Sequence, residues 1–291
     1  MTVAASSPRA EAEPHAGGPE PLLVIRPTRG WRSLDLREVW RFRDLLVMFA
    51  VRDLKLRYRQ TALGVAWVVI LPILGAGIFA MVFGRVARLP SAGVPYFLLA
   101  YVGLLGWNLF QGTLSRAGGS LVTHAHLVSK VYFPRVIVPL SAGVSACIDT
   151  LVALLLLVIL LPVYHLGLTP AVLLVPVWLL LLQVLGLGLS LYASALSVSY
   201  RDVSHILPVA IQFLLYASPV GYRATQVPHT FQAMYLLNPL AGLLEALRWS
   251  ILGTVEPRWG SVAYAAVVSC LVLVGGAFAF RRMERKFADV L

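Results

Sequence analysis

The 291 residues are 59% hydrophobic and only 13% charged, with a mean hydropathy of +0.80 and a formal net charge of +11. Apolar runs long enough to cross a bilayer recur, which excludes an ordinary soluble domain and makes the chain an integral membrane protein. The cations crowd beside those runs instead of forming a stripe interleaved with aromatics, so they point to anionic lipid and not to nucleic acid.

In chain order, residues 1–30 are rich in Pro, Gly, Ala and Glu without an apolar core, and read as a disordered tail, not a cleavable leader. Residues 31–61 read as an amphipathic cytoplasmic segment lying in the interface. Within it Val47, Val51, Leu54 and Tyr58 form one apolar stripe, Arg52, Lys55 and Arg59 share another face, and Asp53 precedes Arg57 by one turn as a supporting partner. Such a helix lies in the headgroup plane with its cations toward phosphate. Two readings of those cations stand side by side. One is a positive-inside anchor; the other makes Arg52, Lys55, Arg57 and Arg59 a holder for the phosphates of a lipid-linked substrate, a task that suits the planar guanidinium fork.

Six spans follow, over about 62–84, 95–114, 136–162, 171–198, 206–220 and 260–280, making a membrane domain over 62–281 and a cytoplasmic tail over 282–291. No charge interrupts the chain between Thr61 and Arg85, and Pro72 marks a kink in the first span. The fifth span is short and ends at the breaker run Ser218-Pro219-Val220-Gly221. Beyond it, LNPLAGLLEALRWSIL, ending at Leu252 with Gly253 as a stop, is a helical pattern too short to cross, which predicts re-entrant helices within 221–259. Nineteen of the 24 Lys and Arg residues flank one side of this arrangement, counting Arg116 among the loop residues, and five the other, which predicts both termini in the cytoplasm.

Asp149 is the only carboxylate inside a predicted span. An unpaired charge there costs about 3 kcal/mol or more, and with no second acid for a proton relay it is expected protonated or hydrogen-bonded, facing the bundle or a subunit interface. Gly75, Gly77, Gly186 and Gly188 are expected to let helices approach. Cys147 and Cys270 fall in apolar segments and read as packing residues, and His124 and His126 lack a third ligand, so no metal site is expected.

Three stretches resemble the membrane subunit of ABC-2 type exporters, in particular the polysaccharide branch that exports O-antigen, capsule and teichoic acid. They are RDLKLRYRQTALGVAWVVILPIL, LVSKVYFPRVIVPLSA from Leu127 to Ala142, and the tail FRRMERKFADVL. The resemblance implies a permease of the bacterial cytoplasmic (inner) membrane that pairs with a second copy of itself and with two copies of an ABC ATPase. Its implied cargo is a polyprenyl-diphosphate-linked polysaccharide, moved through a channel at the homodimer interface. It also implies a coupling helix within 116–132, and so assigns ATPase coupling to Arg116, His124, His126, Lys130 and Tyr132, with Arg201 and Asp202 as a second contact. A plain N-cap role for Asp202 is an equal reading. The chain has no G-x-x-x-x-G-K-[ST] loop, so ATP and Mg are expected to be bound by the partner, with no cofactor on this chain.

Sugar faces stack on aromatic rings, which makes Trp67, Phe79, Phe83, Tyr101, Phe110, Tyr192 and Tyr216 candidates for a glycan path; interfacial belts explain aromatics equally well. Other functions are weaker fits. Export of a drug or simple lipid lacks a use for the re-entrant region, a polyprenyl-linked glycosyltransferase would want paired acids or a D-x-D, and a secondary transporter would want more intramembrane ionisable groups.

Overall fold

In the computed structural model the described residues are 36–59, 66–91, 93–130, 133–167, 169–223, 226–284 and 287; the predicted tail over 1–30 lies outside them. Among the described residues the regular structure is entirely helical. Helices α1 (Leu36–Arg41) and α2 (Arg43–Arg59) precede α3 (Ala66–Phe79), which continues as a π-helical segment, Ala80–Val86. Then come α4 (Tyr96–Thr123), the short α5 (Ala125–Lys130), α6 (Ile137–Val163) and α7 (Val175–Ser199), the last entered by a 3-10 turn at Pro170–Leu174. The chain closes with α8 (Val203–Tyr216), α9 (His229–Leu237), α10 (Pro239–Leu252) and α11 (Trp259–Glu284).

Among the described residues five helices are long and apolar enough to cross a membrane: Ala66–Val86, Tyr96–Thr123, Ile137–Val163, Pro170–Ser199 and Trp259–Glu284. The predicted fifth span is α8, whose 14 residues rise about 21 Å, short of a hydrocarbon core about 30 Å thick.

Helix α4 is the centre of the bundle, packed by α6 and α7 along much of its length and by α3, α8 and α10 over shorter stretches. Its Leu98, Tyr101, Trp107 and Phe110 are almost wholly buried. Apolar burial does not drive association in lipid, so close backbone approach and interhelical hydrogen bonds carry the specificity. The α7–α11 crossing has backbone against backbone: a Cβ on Gly188 would lie 2.6 Å from Leu273 N, and one on Gly276 would overlap the Gly188 carbonyl. A Cβ on Gly186 would lie 3.2 Å from the Thr113 side chain and one on Gly75 3.3 Å from Leu104, as expected of close approach, whereas Gly77 has open space. Thr113 Oγ1 donates to Gln183 Oε1 at 2.7 Å, Gln183 Nε2 donates to Gly143 O at 3.1 Å, and Ser197 Oγ donates to Gly118 O at 3.2 Å, joining α4, α6 and α7.

These bonds accompany a correction. The second span does not end near Leu114 but runs to Thr123, and neighbouring helices bond its Thr113 and the Gly118 carbonyl. Arg116 is therefore inside a membrane helix and not in the loop that follows. With Arg116 and the buried Arg248 set aside, the Lys and Arg asymmetry is eighteen against four, so the orientation expected from it is unchanged.

Candidate functional site

At the end of the bundle where α4 and α7 begin, backbone amides of the turn after α8 close the carbonyls of Phe213 and Leu215, and the carbonyls that follow, from Tyr216 to Tyr222, call for further donors. Side chains supply them. Asn238 Nδ2 donates to Ala217 O at 3.1 Å and to Ser218 Oγ at 2.9 Å. Arg248 donates through Nη2 to Pro219 O and Val220 O, both at 2.5 Å, and through Nη1 to Tyr222 O at 2.9 Å. Tyr96 gives its hydroxyl to Gly221 O at 2.6 Å, and Tyr222 gives its own to Tyr216 O at 2.7 Å. The predicted breaker run is thus a clamped turn, with Ser218, Pro219, Val220 and Gly221 all buried.

Helix α10 holds the clamp. Asn238 caps it, its Oδ1 accepting from Leu240 N at 3.0 Å, and Pro239 takes the first helical position, where no amide donor is needed. Gly253, at φ 62°, ends it in the left-handed conformation, as its role as a stop predicts. Most of α10 is buried against α4, α7 and α11, and Trp178 Nε1 donates to Ser250 Oγ at 2.8 Å. Arg248 itself is 2% exposed and sits where Gly103 of α4 leaves room; a Cβ there would overlap both the guanidinium and the Val220 carbonyl. Burial pulls the Arg248 pKa down to about 10 and pushes the Tyr222 and Tyr235 phenols up, so at neutral pH the guanidinium is charged and the phenols are neutral.

Beside the clamp the rings of Phe79, Phe83, Tyr222 and Tyr235 follow one another at centroid distances of 5.5, 6.3 and 5.9 Å, and the Tyr235 hydroxyl donates to that of Tyr222. A cavity of about 150 Å³ opens next to Tyr235, lined also by Arg223, Gln232, Glu245, Glu256 and Arg258.

Of the aromatics proposed for a glycan path, the structure brings together only Phe79 and Phe83. Tyr101 and Phe110 are 1% and 0% exposed, and the Tyr101 hydroxyl donates to Ala153 O at 2.8 Å; both are core residues of the single chain, because the long α4 is enclosed by its neighbours. Trp67, Tyr192 and Tyr216 are exposed on α3, α7 and α8 respectively.

Midway along the bundle, Arg116 Nη2 and Asp149 Oδ2 form an ion pair at 2.5 Å, each side chain partly exposed. Asp149 is therefore held by a cation, and Arg116, the residue expected at an ATPase contact, is its partner in this structure. Pairing of this kind removes most of the cost of either charge alone.

At the opposite end, α2 docks by a face other than the predicted stripe. Phe49 is buried in a cluster with Val128, Phe133 and Ile137 and Ala50 is buried as well, whereas Val47, Met48, Val51 and Leu56 stay exposed, so α2 has one apolar side for the bundle and another facing outward. Arg52 lies over the Phe49 ring at 5.0 Å and pairs with Asp53 at 3.2 Å; Lys55 is exposed. Asp53 faces Arg52 and His124, with His124 Nε2 at 3.7 Å; the side chains of Arg57 and Arg59 lie outside the described residues.

His124 is not a solvated loop residue. Its ring stacks on Phe49 at 6.5 Å and its Nδ1 lies 2.9 Å from Ser120 O at the end of α4. His126 and Lys130 are exposed on α5, and Tyr132 lies outside the described residues. Arg201 and Asp202 are exposed; Asp202 occupies the N-cap position of α8, but its carboxylate makes no capping bond. Arg135 donates to Glu284 O at 2.9 Å and lies over the Phe287 ring at 5.8 Å, tying the end of α11 to the start of α6. Among the described residues no group of His, Cys, Asp or Glu is placed to hold a metal.

Residues 44–252 match the family model of the ABC-2 type transporter. The chain is 30% identical over 256 residues to an O-antigen export system permease protein RfbA of Klebsiella pneumoniae, covering 85% of this chain and 95% of that one. It is 27% identical over 256 residues to the RfbA of Myxococcus xanthus, covering 87% and 98%, and 23% identical over 242 residues to the polysialic acid transport protein KpsM of Escherichia coli, covering 80% and 91%. The clamped short helix and the five long apolar helices are thus those of a member of the ABC-2 type transporter membrane family.

Proposed function

We propose that the chain is the permease of an ATP-driven exporter that moves a lipid-linked polysaccharide across the bacterial cytoplasmic membrane, working as a pair of copies with two copies of a separate ABC ATPase. The observation that carries this reading is near full-length similarity to permeases named for O-antigen and polysialic acid transport. The α5 end is cytoplasmic on the Lys and Arg asymmetry, which puts α2 in the inner headgroup layer and leaves His126 and Lys130 of α5, with Arg201 and Asp202, facing the ATPase. Lys55, Arg57 and Arg59 then meet the carrier diphosphate at the membrane surface.

The clamp supports the rest. A helix that ends within the membrane requires donors for its carbonyls, because lipid offers none. Arg248, Asn238, Tyr96 and Tyr222 provide them for the turn that follows α8, so α8 and α10 form a re-entrant unit that closes the outer end without crossing it. ATP binding below shifts the paired permeases through α5, and the glycan passes between them, held by many weak contacts and not by one tight site.

Co-reconstitution of the chain with its ATPase in proteoliposomes, followed by movement of a polyprenyl-diphosphate-linked glycan to the far leaflet, tests the proposal. ATP-dependent movement supports it, and a tightly coupled ATPase that moves a small hydrophobic drug but no glycan overturns it.

A further inference from the structure

Helices α3, α6, α7 and α11 show the outside of the protomer an apolar surface: Leu71 and Ile78, Leu155 and Ile159, Leu180, Val267 and Leu271 are all exposed. Helix α4 does not. It is the most buried span, and the narrow face it leaves open carries Asn108 and Ser115, both exposed, with Gln111, Arg116 and Gly119 partly so. These positions recur at three and four residues and so lie on one side of the helix, over about 17 Å from Asn108 to Gly119. Arg116 is paired with Asp149 of α6, and Gln111 accepts a hydrogen bond from Trp107 Nε1. One Arg116 nitrogen, Nη1, is buried without a hydrogen-bond partner.

Polar side chains facing lipid are costly, so a polar face on a membrane helix belongs against water or a polar partner. We infer that the open face of α4, from Asn108 to Gly119 with the Arg116–Asp149 pair, is a water-facing wall of the translocation path and takes a polyhydroxylated chain as its ligand. This rests on the exporter reading above. The chemistry fits sugar better than an ion or an apolar drug. Amide and hydroxyl groups donate and accept, as sugar hydroxyls do, and the ion pair leaves the strip without net charge. Tight packing of a second copy on the strip is the competing occupant.

The test uses the full chain with its ATPase in native membranes, with Cys147 and Cys270 replaced by Ala. Asn108→Cys, Ser115→Cys and Gly119→Cys are treated with a membrane-impermeant trimethylammonium methanethiosulfonate, beside the lipid-facing controls Leu155→Cys and Val267→Cys. The strip positions are expected to label at least tenfold faster than the controls, and the adduct at Ser115→Cys to slow appearance of surface polysaccharide several-fold. Strip positions as inert as the controls, a disulfide between copies at these positions, or full labelling with unaltered export would each overturn the inference. If unlabelled protein moves no glycan, the exporter reading fails by itself, while the labelling rates still decide whether the strip faces water.

Discussion

The buried Arg248 on α10 donates to the Val220 carbonyl at 2.5 Å, across a point where α4 has only a glycine, Gly103. A short helix, a cation that satisfies the carbonyls of the turn after it and a gap in the central helix that admits the cation make one unit.

Gly103→Ala places a methyl group on the Val220 oxygen and the Arg248 guanidinium. Neither is free to move, because Arg248 is already committed to three carbonyls. Overpacking of this kind costs about 1–3 kcal/mol. A lower thermal midpoint in detergent is expected, while Gly77→Ala, at a site with open space, leaves it unchanged.

Arg248→Met removes the donors to Pro219, Val220 and Tyr222 while keeping an unbranched chain. Buried carbonyls left without donors cost about 1–3 kcal/mol each. The variant is expected to be less stable than Gly103→Ala and to become sensitive to proteolysis within 217–223. Arg248→Lys retains a charge but not the fork, and is expected to fall between the two.

For Arg116 and Asp149 the informative quantity is the coupling. Arg116→Gln and Asp149→Asn each leave one charge without its partner in the bundle, whereas the double variant leaves none. Each single change is expected to destabilise more than the double, with a coupling of about 0.5–3 kcal/mol in a thermal denaturation cycle. Additive losses would mean that the two charges do not interact.

Much of this architecture is legible in the sequence. The third and fourth spans, expected over 136–162 and 171–198, correspond to Ile137–Val163 and Pro170–Ser199, because their apolar runs end at abrupt polar turns. Gly253 and the stretch before it announced α10 by pattern and stop signal. The second span was under-read because Gly112, Thr113, Ser115, Gly118 and Gly119 lower its hydropathy, although Gln183 and Ser197 bond its Thr113 and the Gly118 carbonyl. Neither its polar strip of Asn108, Gln111 and Ser115 nor the Arg248 clamp is singled out by the sequence pattern, and the clamp's acceptors are backbone carbonyls that any residue carries. Aromatic identity alone did not separate Tyr101 and Phe110, enclosed by their neighbours, from Trp67 and Tyr192, which are exposed.

The cations of α2 divide by what they touch. Arg52 is engaged by Asp53 and Phe49 of its own helix, so Arg52→Gln is expected to lower stability by no more than about 1 kcal/mol. Lys55 is exposed, and Lys55→Gln with Arg57→Gln and Arg59→Gln is expected to leave stability unchanged while reducing stimulation of the ATPase by polyprenyl-diphosphate glycan. Normal stimulation in the triple variant would return these residues to a simple anchoring role.

The central claim is tested most directly by the glycan itself. Proteoliposomes holding the chain and its ATPase, loaded with a polyprenyl-diphosphate-linked glycan in the outer leaflet, report arrival inside through a lectin trapped in the lumen. Arrival that requires ATP and is abolished by Arg248→Met is the predicted result; no ATP-dependent arrival from a complex whose ATPase is active would contradict the account.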